Sequence, residues 1–599
     1  MSQKKLTQKK FVPLKKPRAS AGLPMKGRDI IVQSLEREGV EIIFGYPGGA
    51  SMEIHQALTL TRKIRMVLPR HEQGGAFAAG GYARASGKVG VCLATSGPGA
   101  TNLLTGIMDA KMDSIPIIAI TGQVPTPVLG SDAFQESDVV GSTFPMVKHS
   151  YLVQDVNDIP QVIHEAFHIA RTGRPGPIVI DIPKNIQQQE TVPNFDVKFD
   201  VPGYKPNLKP SPFQIKKAAH AIMESKRPII YAGGGIVSAE ASEELRKFVK
   251  KTGIPVTNTV MGLGTYPMND PLSLQMLGMH GAVYANIAIN HADLVIALGV
   301  RFDDRVTGKL SEFCPNAQFI HVDIDASEIH KNIAVDIPIQ GDVKLALHKL
   351  NELVKPKKDL QPWIKQIEGW KKEFPLQYEP HKDHIVPQQV ICGIGELMHE
   401  DAIISVGVGQ HQMWAAQFLR FNKPRHWLSS SGLGAMGFGL PAAMGAQIAF
   451  PKRQVINIEG DGSFLMNIQE LQTLKIENIP VKNIVLNNAH LGMVAQWEDR
   501  FYKSIRGHTY IGDANFAEIA HAFGIKSESI SKPEEVKPAL KRMLKHKGSF
   551  VLDVKYPYDD RSRGHVMPMI PANHTYLDTL LDEKHSLRQY WKKKGIIPG

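Results

Sequence analysis

Asp461 and Asn488 are the pair on which chemistry can be built. Asp461 stands between two glycines, directly after the apolar, β-branched run 455–458, which reads as a buried strand. Ser463 then occupies the place of a helix N-cap. Leu465, Ile468, Leu471 and Leu474 recur at helical spacing until Pro480 stops them. A second strand, 481–486, delivers Asn487 and Asn488 to the same sheet edge. The unit is βαβ, with an acid ending its first strand and an amide ending its second, beside a helix N-terminus where phosphates bind. Such a pair suits an octahedral Mg²⁺, completed by a backbone carbonyl, a water and the oxygens of a diphosphate. A glycine-flanked acid alone reads equally well as a turn. The 24 residues between Gly462 and Asn487, enough for one helix and one strand, favour the site.

The same plan occurs earlier in the chain. Strand 90–95 leads into Ser96-Gly97-Pro98-Gly99, a helix carries Leu103, Leu104 and Ile107, and Ile115-Pro116 precedes strand 117–120. Gly97 and Pro116 are 19 positions apart, against 18 for Gly462 and Pro480. Two related α/β domains are therefore expected, one of them without metal ligands; unlike sheet orders would refute this.

Other glycine-rich strand ends follow the same logic. Gly45 to Ala50 opens a helix after strand 40–44. Strand 66–69 delivers Arg70-His71-Glu72-Gln73, and the small residues from Gly74 to Gly81 suggest a helix packed closely against another backbone. Segment 126–149, containing Phe134-Gln135-Glu136, is long and irregular, a form usually functional or disordered. Helix 159–171 and strand 178–182 close the first domain near Pro183-Lys184. In the middle of the chain, strand 228–232 runs into Gly233-Gly234-Gly235, strand 294–299 into Arg301, and strand 319–322 into Asp323. Acids and glycines at strand ends suit a nucleotide cofactor, but no GxGxxG indicates NAD.

The fold class is thus α/β, with three doubly wound parallel-sheet domains. The expected boundaries are a disordered basic arm at 1–25, a first domain at 26–190 and a linker at 191–212. A central domain at 213–350, a charged helical linker at 351–383, a third domain at 384–558 and a C-terminal tail at 559–599 covering the site complete the chain.

Composition sets the outer limits. With 599 residues, 43% hydrophobic and 21% charged, the chain can bury three cores. No apolar run reaches the 18 residues of a membrane span. Three cysteines, Cys92, Cys314 and Cys392, are too scattered for a disulfide framework or a zinc site. The net charge of +12 is concentrated at the ends: residues 1–28 hold nine Lys or Arg and no acid. It lacks the aromatic interleaving of a nucleic-acid face, so neither nucleic acid nor membrane is expected as a partner. The first 20 residues lack a secretory core and are Lys-rich. A cytoplasmic location is expected, with a mitochondrion or plastid as the alternative if this segment is processed.

Taken together, the motifs FGYPGGAS, PRHEQGGAFAAGGYARASG, SGPGATN, DAFQE, GVRFDDRVTGK, GLGAMGFGLPAA, GDGSF, LNNAHLGMVAQWEDRFY and HVMPMIP resemble those of acetohydroxyacid synthase (acetolactate synthase) catalytic subunits. These are thiamine diphosphate enzymes, and the likeness spans nearly the whole chain. It implies pyrimidine-binding, FAD-binding and diphosphate-binding domains, in that order. It also implies condensation of pyruvate, after loss of CO₂, with a second pyruvate or with 2-ketobutyrate. That is the first common step toward valine, leucine and isoleucine. A related flavin enzyme such as pyruvate oxidase is the alternative.

Roles carried over by the resemblance are these. Glu72 bonds N1′ of the cofactor's pyrimidine in the neighbouring subunit, where a dry carboxyl group drives the ring to its working tautomer; a surface salt bridge is its plain alternative. Asp461, Asn488 and the His490 carbonyl hold Mg²⁺, while Gly409, Gln410, His411, Gly462 and Ser463 line the diphosphate. Met436 props the bent cofactor or merely packs in the core. Gly48, Phe134, Gln135 and Lys184 line the site, although a surface role also suits Lys184. Arg305, Met279 and Trp497 contact the second keto acid, Arg305 pairing with its carboxylate. Trp497 would favour 2-ketobutyrate only modestly, since one methylene supplies about 1–3 kcal/mol. Arg174, Gly234, His280, Arg301, Asp323 and Asp342 map to contacts with a structural, non-redox FAD. A homodimer or dimer of dimers and a separate regulatory subunit are implied as well.

Overall fold

A computed structural model describes residues 22–198 and 201–558. The expected tail at 559–599, and most of the arm at 1–25, lie outside the described residues.

Each of the three segments builds one six-stranded sheet. The first comprises β1 (Ile42–Gly45), β2 (Arg65–Val67), β3 (Gly90–Ala94), β4 (Ile117–Gln123), β5 (His149–Leu152) and β6 (Ile178–Pro183). The second comprises β7 (Pro228–Ala232), β8 (Val256–Asn258), β9 (Ser273–Met276), β10 (Leu294–Leu298), β11 (Gln318–Asp323) and β12 (Ile337–Gln340). The third comprises β13 (Ile403–Val406), β14 (Trp427–Ser429), β15 (Val455–Gly460), β16 (Lys482–Asn487), β17 (Lys526–Ile530) and β18 (Phe550–Lys555). Every pairing within these sheets is parallel. Central strands such as Pro228–Ala232 and Leu294–Leu298 are buried at every position, as a sheet covered on both faces requires.

The first sheet runs β2-β1-β3-β4-β6-β5 and the third β14-β13-β15-β16-β18-β17. Counted within each segment the two orders are identical, so the test set by the Gly97 and Gly462 spacings is passed. The middle sheet differs, running β9-β8-β7-β10-β11-β12. That is the dinucleotide-binding order, with its reversal between β7 and β10.

The first and third segments share a core. Helix Glu72–Ser86 packs along helix Gly439–Ala449, and Phe77 meets Phe438 edge-on at 5.5 Å between centroids. The small residues after Glu72 make this approach possible. A Cβ on Gly81 would overlap the Ala442 backbone, and one on Gly445 the Ala78 carbonyl. The close helix contact expected from the small-residue run is therefore present.

Local expectations need three corrections. Leu465 to Leu474 do not lie on one helix: Asp461–Met466 and Glu470–Glu477 are separate, and between them the Asn467 side chain donates to the Gly437 carbonyl at 2.8 Å. Leu465 is accordingly exposed. Ser463 is not the cap, because Gly460 holds that place and Ser463 lies inside the helix. Finally, the segment read as a helical linker carries helix Gln361–Glu373, whose Trp363 and Trp370 are buried in the central core. The Trp363 indole donates to the Pro228 carbonyl at 3.2 Å.

Candidate active site

The third sheet reverses direction of build between β13 and β15, where Val406 and Ile458 are neighbours. The segments leaving those strands, Val408 to His411 and Gly460 to Ser463, where helices Gln410–Phe418 and Asp461–Met466 begin, line a crevice that also takes Met436, Asn488, His490 and Tyr556. Parallel strands put their C-terminal ends together, which is why Asp461 and Asn488 meet although 27 positions separate them.

Asp461 is 3% exposed. Its Oδ1 accepts the Gly462 N–H at 2.8 Å and its Oδ2 the Asn488 N–H at 3.1 Å. Burial pushes its pKa up to about 6, while backbone donors including Gly462 pull it down. The Asn488 side-chain amide donates to the Tyr556 hydroxyl at 3.1 Å, which orients it, and its Oδ1 accepts the His490 N–H at 3.1 Å. Among the described residues no cluster of three or more His, Cys, Asp or Glu could hold a metal. A cation here would therefore draw on amide and carbonyl oxygens and on its ligand's own phosphates. That hard, oxygen-only donor set fits Mg²⁺.

Gln410 and His411 open helix Gln410–Phe418, and Gly409 is its cap. Burial drives the His411 pKa down to about 3, so the ring is neutral. Ser463, inside its helix, accepts the Gly437 N–H at 2.9 Å. It thereby fixes the glycine-rich loop that carries Met436. Beneath them lies Glu459, fully buried, accepting the Leu440 N–H at 2.9 Å, its pKa pushed up to about 7 by burial. Sequence reasoning missed Glu459, Tyr556 and Asn102. An acid directly after the apolar 455–458 run, still inside the strand, was the available signal for the first.

Glu72 lies elsewhere. It begins its helix, and its Oε2 accepts from the Asn102 amide at 3.0 Å. Among the described residues none before Val408 lines the crevice at Asp461, so Glu72 and Asp461 do not share that crevice within one chain. Around the first sheet's edge, Gly48 packs on Thr95, where a Cβ would come within 2.5 Å of the threonine Cβ. Gln135 takes a positive φ beside Gly97, and Phe134 is 88% exposed. Lys184 starts helix Lys184–Gln188 at the same strand ends.

Met279 and Arg305 are adjacent: the Met279 N–H donates to the Arg305 carbonyl at 2.7 Å, and the guanidinium reaches the Met279 sulfur at 3.4 Å. Trp497 lies on helix Gly492–Phe501 against Phe501, with centroids 5.1 Å apart. It is not joined to Arg305 within the described chain.

The second crevice is at the reversal of the middle sheet. A cavity of about 510 Å³ is lined by Gly234, Gly235, Gly299, Arg301, Asp323, Asp342, Arg174 and Arg305. A Cβ on Gly235 would stand 2.6 Å from Gly299 Cα, so the two strand-end loops touch backbone to backbone. Arg174 is held by Glu328 at 2.6 Å and by Ser114 at 2.8 Å. Burial pushes the Asp323 pKa up to about 7. His280 does not line this cavity; its carbonyl accepts from Gln417 at 2.8 Å.

Two sheets of one strand order, one of which carries a crevice where an acid and an amide meet at its strand ends, are the architecture of a thiamine pyrophosphate enzyme. Family models agree: the N-terminal TPP binding domain matches residues 25–142, the central domain 215–350 and the C-terminal TPP binding domain 407–554. The chain is 54% identical to acetolactate synthase 3, chloroplastic, of Brassica napus, over 93% of this chain and 87% of that one. It is 53% identical to acetolactate synthase, chloroplastic, of Arabidopsis thaliana, over 93% and 85%, and 54% identical to acetolactate synthase 1, chloroplastic, of Zea mays, over 93% and 89%. The chain belongs to the acetolactate synthase family.

Proposed function

We propose that this enzyme removes CO₂ from pyruvate and joins the remaining two-carbon unit to a second 2-keto acid. Pyruvate would give 2-acetolactate and 2-ketobutyrate would give 2-aceto-2-hydroxybutyrate. The observation that carries the reading is the Asp461–Asn488 pair, a hard-oxygen site at the switch point of the third sheet. Thiamine diphosphate, when bound, supplies the carbon nucleophile that keto-acid decarboxylation needs.

This chain's residues then have distinct tasks. Asp461, Asn488 and the His490 carbonyl would hold Mg²⁺, and Gly409, Gln410, His411, Gly462 and Ser463 would line the diphosphate. The neutral His411 ring would lie beside the phosphates without adding a buried positive charge. Met436, which lines the same crevice, would support the cofactor. Glu72 holds the proton at N1′ of the pyrimidine in the neighbouring subunit; its separation from the Asp461 crevice within one chain supports a homodimer as the minimal unit. Arg305 pairs with the carboxylate of the second keto acid, with Met279 beside it and Trp497 as the wall that sorts substituents. Gly48, Phe134, Gln135 and Lys184 complete the lining.

FAD fits the middle cavity. The backbone contact of Gly235 and Gly299 leaves room for a pyrophosphate, and Asp323 can take a hydroxyl. We assign it a structural role, with His280 a weaker member of its contacts. A regulatory subunit remains part of the reading, as does a dimer of dimers. The relatives named chloroplastic favour a plastid over the cytoplasmic expectation, and a fluorescent fusion of the full chain would test this. No helix among the described residues is long and apolar enough to cross a membrane.

The test is to incubate the purified protein with pyruvate, thiamine diphosphate, Mg²⁺ and FAD. Acetolactate formation supports the reading; peroxide or acetyl phosphate in its place would favour the pyruvate oxidase alternative.

A further inference from the structure

Glu470 opens helix Glu470–Glu477 of the third segment and is completely buried. Its carboxylate does not face its own domain's crevice. Oε1 accepts the backbone N–H groups of Arg70 at 2.9 Å and His71 at 3.2 Å, from the first segment. Oε2 accepts the Thr473 hydroxyl at 2.8 Å, and Thr473 in turn accepts from the Arg70 side chain at 3.3 Å. The contact is close: a Cβ on Gly74 would stand 2.5 Å from Glu470 Oε1.

Arg70 and His71 immediately precede Glu72. On its other side the Gln73 N–H donates to the His71 imidazole at 3.1 Å. The Glu72 backbone is therefore bracketed, the two preceding N–H groups held by Glu470 and the following one by His71. Unpartnered, those two part-buried N–H groups would each lose a hydrogen bond in a place where water reaches them only in part. The loop would then shift to find water, and Glu72 would move with it.

We propose that Glu470 is a positioning residue, a buried carboxylate from the third segment that fixes the backbone from which Glu72 reaches the cofactor. The proposal rests on the reading of Glu72 given above. Burial pushes the Glu470 pKa up to about 7 against the pull of the Arg70 and His71 donors. What the loop takes from Glu470 is the acceptor oxygen Oε1, which serves both backbone N–H groups.

The test compares full-length Glu470→Ala, Glu470→Gln, Thr473→Val and Glu72→Gln with the parent enzyme. Exchange of the C2 hydrogen of bound thiamine diphosphate into D₂O is read by NMR, with cofactor affinity and melting temperature measured alongside. Glu470→Ala should slow exchange about tenfold or more, since small misplacements carry rate losses of that order. Glu470→Gln, which keeps one acceptor oxygen, should restore it to within about threefold, with cofactor affinity little changed in both. Thr473→Val should fold normally and slow exchange by a smaller factor. Glu72→Gln slow but Glu470→Ala and Thr473→Val at the parent rate would overturn the proposal alone. Loss of exchange, affinity and melting temperature together, equally in Glu470→Ala and Glu470→Gln, would also overturn it. Parent-rate exchange in Glu72→Gln would overturn the reading of Glu72 and the proposal with it.

Discussion

Asp461 accepts the backbone N–H of Asn488 at 3.1 Å, so the ends of β15 and β16 are tied at the point where, in the proposed function, both residues would offer oxygen to one cation. The acid thus fixes the amide as well as contributing its own charge. Asp461→Ala should lose both functions. Its affinity for thiamine diphosphate in the presence of Mg²⁺, measured by calorimetry, should fall about 100-fold, at the upper end for loss of a metal-site group. Raising Mg²⁺ should recover little of it.

Two chains should complete each other's sites. Glu72→Gln and Asp461→Ala proteins, each inactive alone, are mixed under conditions that exchange subunits. Each mixed dimer then carries one intact site and one doubly altered site. About a quarter of parental activity should return at equal ratios if exchange is random. No recovery, with mixed dimers shown by native mass spectrometry, would argue against a site shared between chains.

The close backbone contact at the middle sheet predicts the flavin result. Gly235→Val puts side-chain atoms where Gly299 Cα already stands. The purified variant should carry at most about a tenth of the parent's flavin absorbance, with overpacking costing about 1–3 kcal/mol of stability. Bound flavin equal to the parent's would count against this cavity as the FAD site.

Helix Gly439–Ala449 predicts a stability effect remote from any ligand. Gly445→Leu would drive a side chain into the Ala78 carbonyl and separate the two helices. Unfolding by urea should show a loss of about 3 kcal/mol or more, at the high end for overpacking. Gly369→Leu should change little, because nothing stands within 4 Å of its Cβ position.

Asp181 sets a pH dependence. It is 1% exposed and accepts from Thr121 at 2.7 Å and Gln123 at 2.9 Å, and burial pushes its pKa from 3.8 to about 7. Because the folded pKa is raised, the folded state binds more protons than the unfolded one between those values. Stability contributed by the neutral acid is therefore lost as pH rises through that window. The melting temperature of the parent should fall from pH 5 to pH 8 more steeply than that of Asp181→Asn. Parallel curves would show that Asp181 does not titrate there.

Much of the site was legible because its chemistry lies at strand ends. Short apolar runs followed by Gly-Asp-Gly or Asn-Asn mark where a parallel sheet presents its residues. Matching spacings at Gly97 and Gly462 anticipated two sheets of one order. Short strands such as Trp427–Ser429 and Ser273–Met276 left no period to read. Ser463 misled because its hydroxyl serves Gly437, a residue 26 positions away, whereas a cap would serve its own helix.

The sequence by itself determined which residues end the strands, and so which atoms can meet a metal, a phosphate or a flavin. That information is local, carried by residue type over a dozen positions. Only the tertiary structure decided that Glu470 grips the loop before Glu72, that the partner of the Gly74–Gly81 run is helix Gly439–Ala449, and that the 361–373 helix completes the central core. Those contacts join residues about 80 to 400 positions apart, and their geometry depends on how whole sheets pack, which no local pattern encodes.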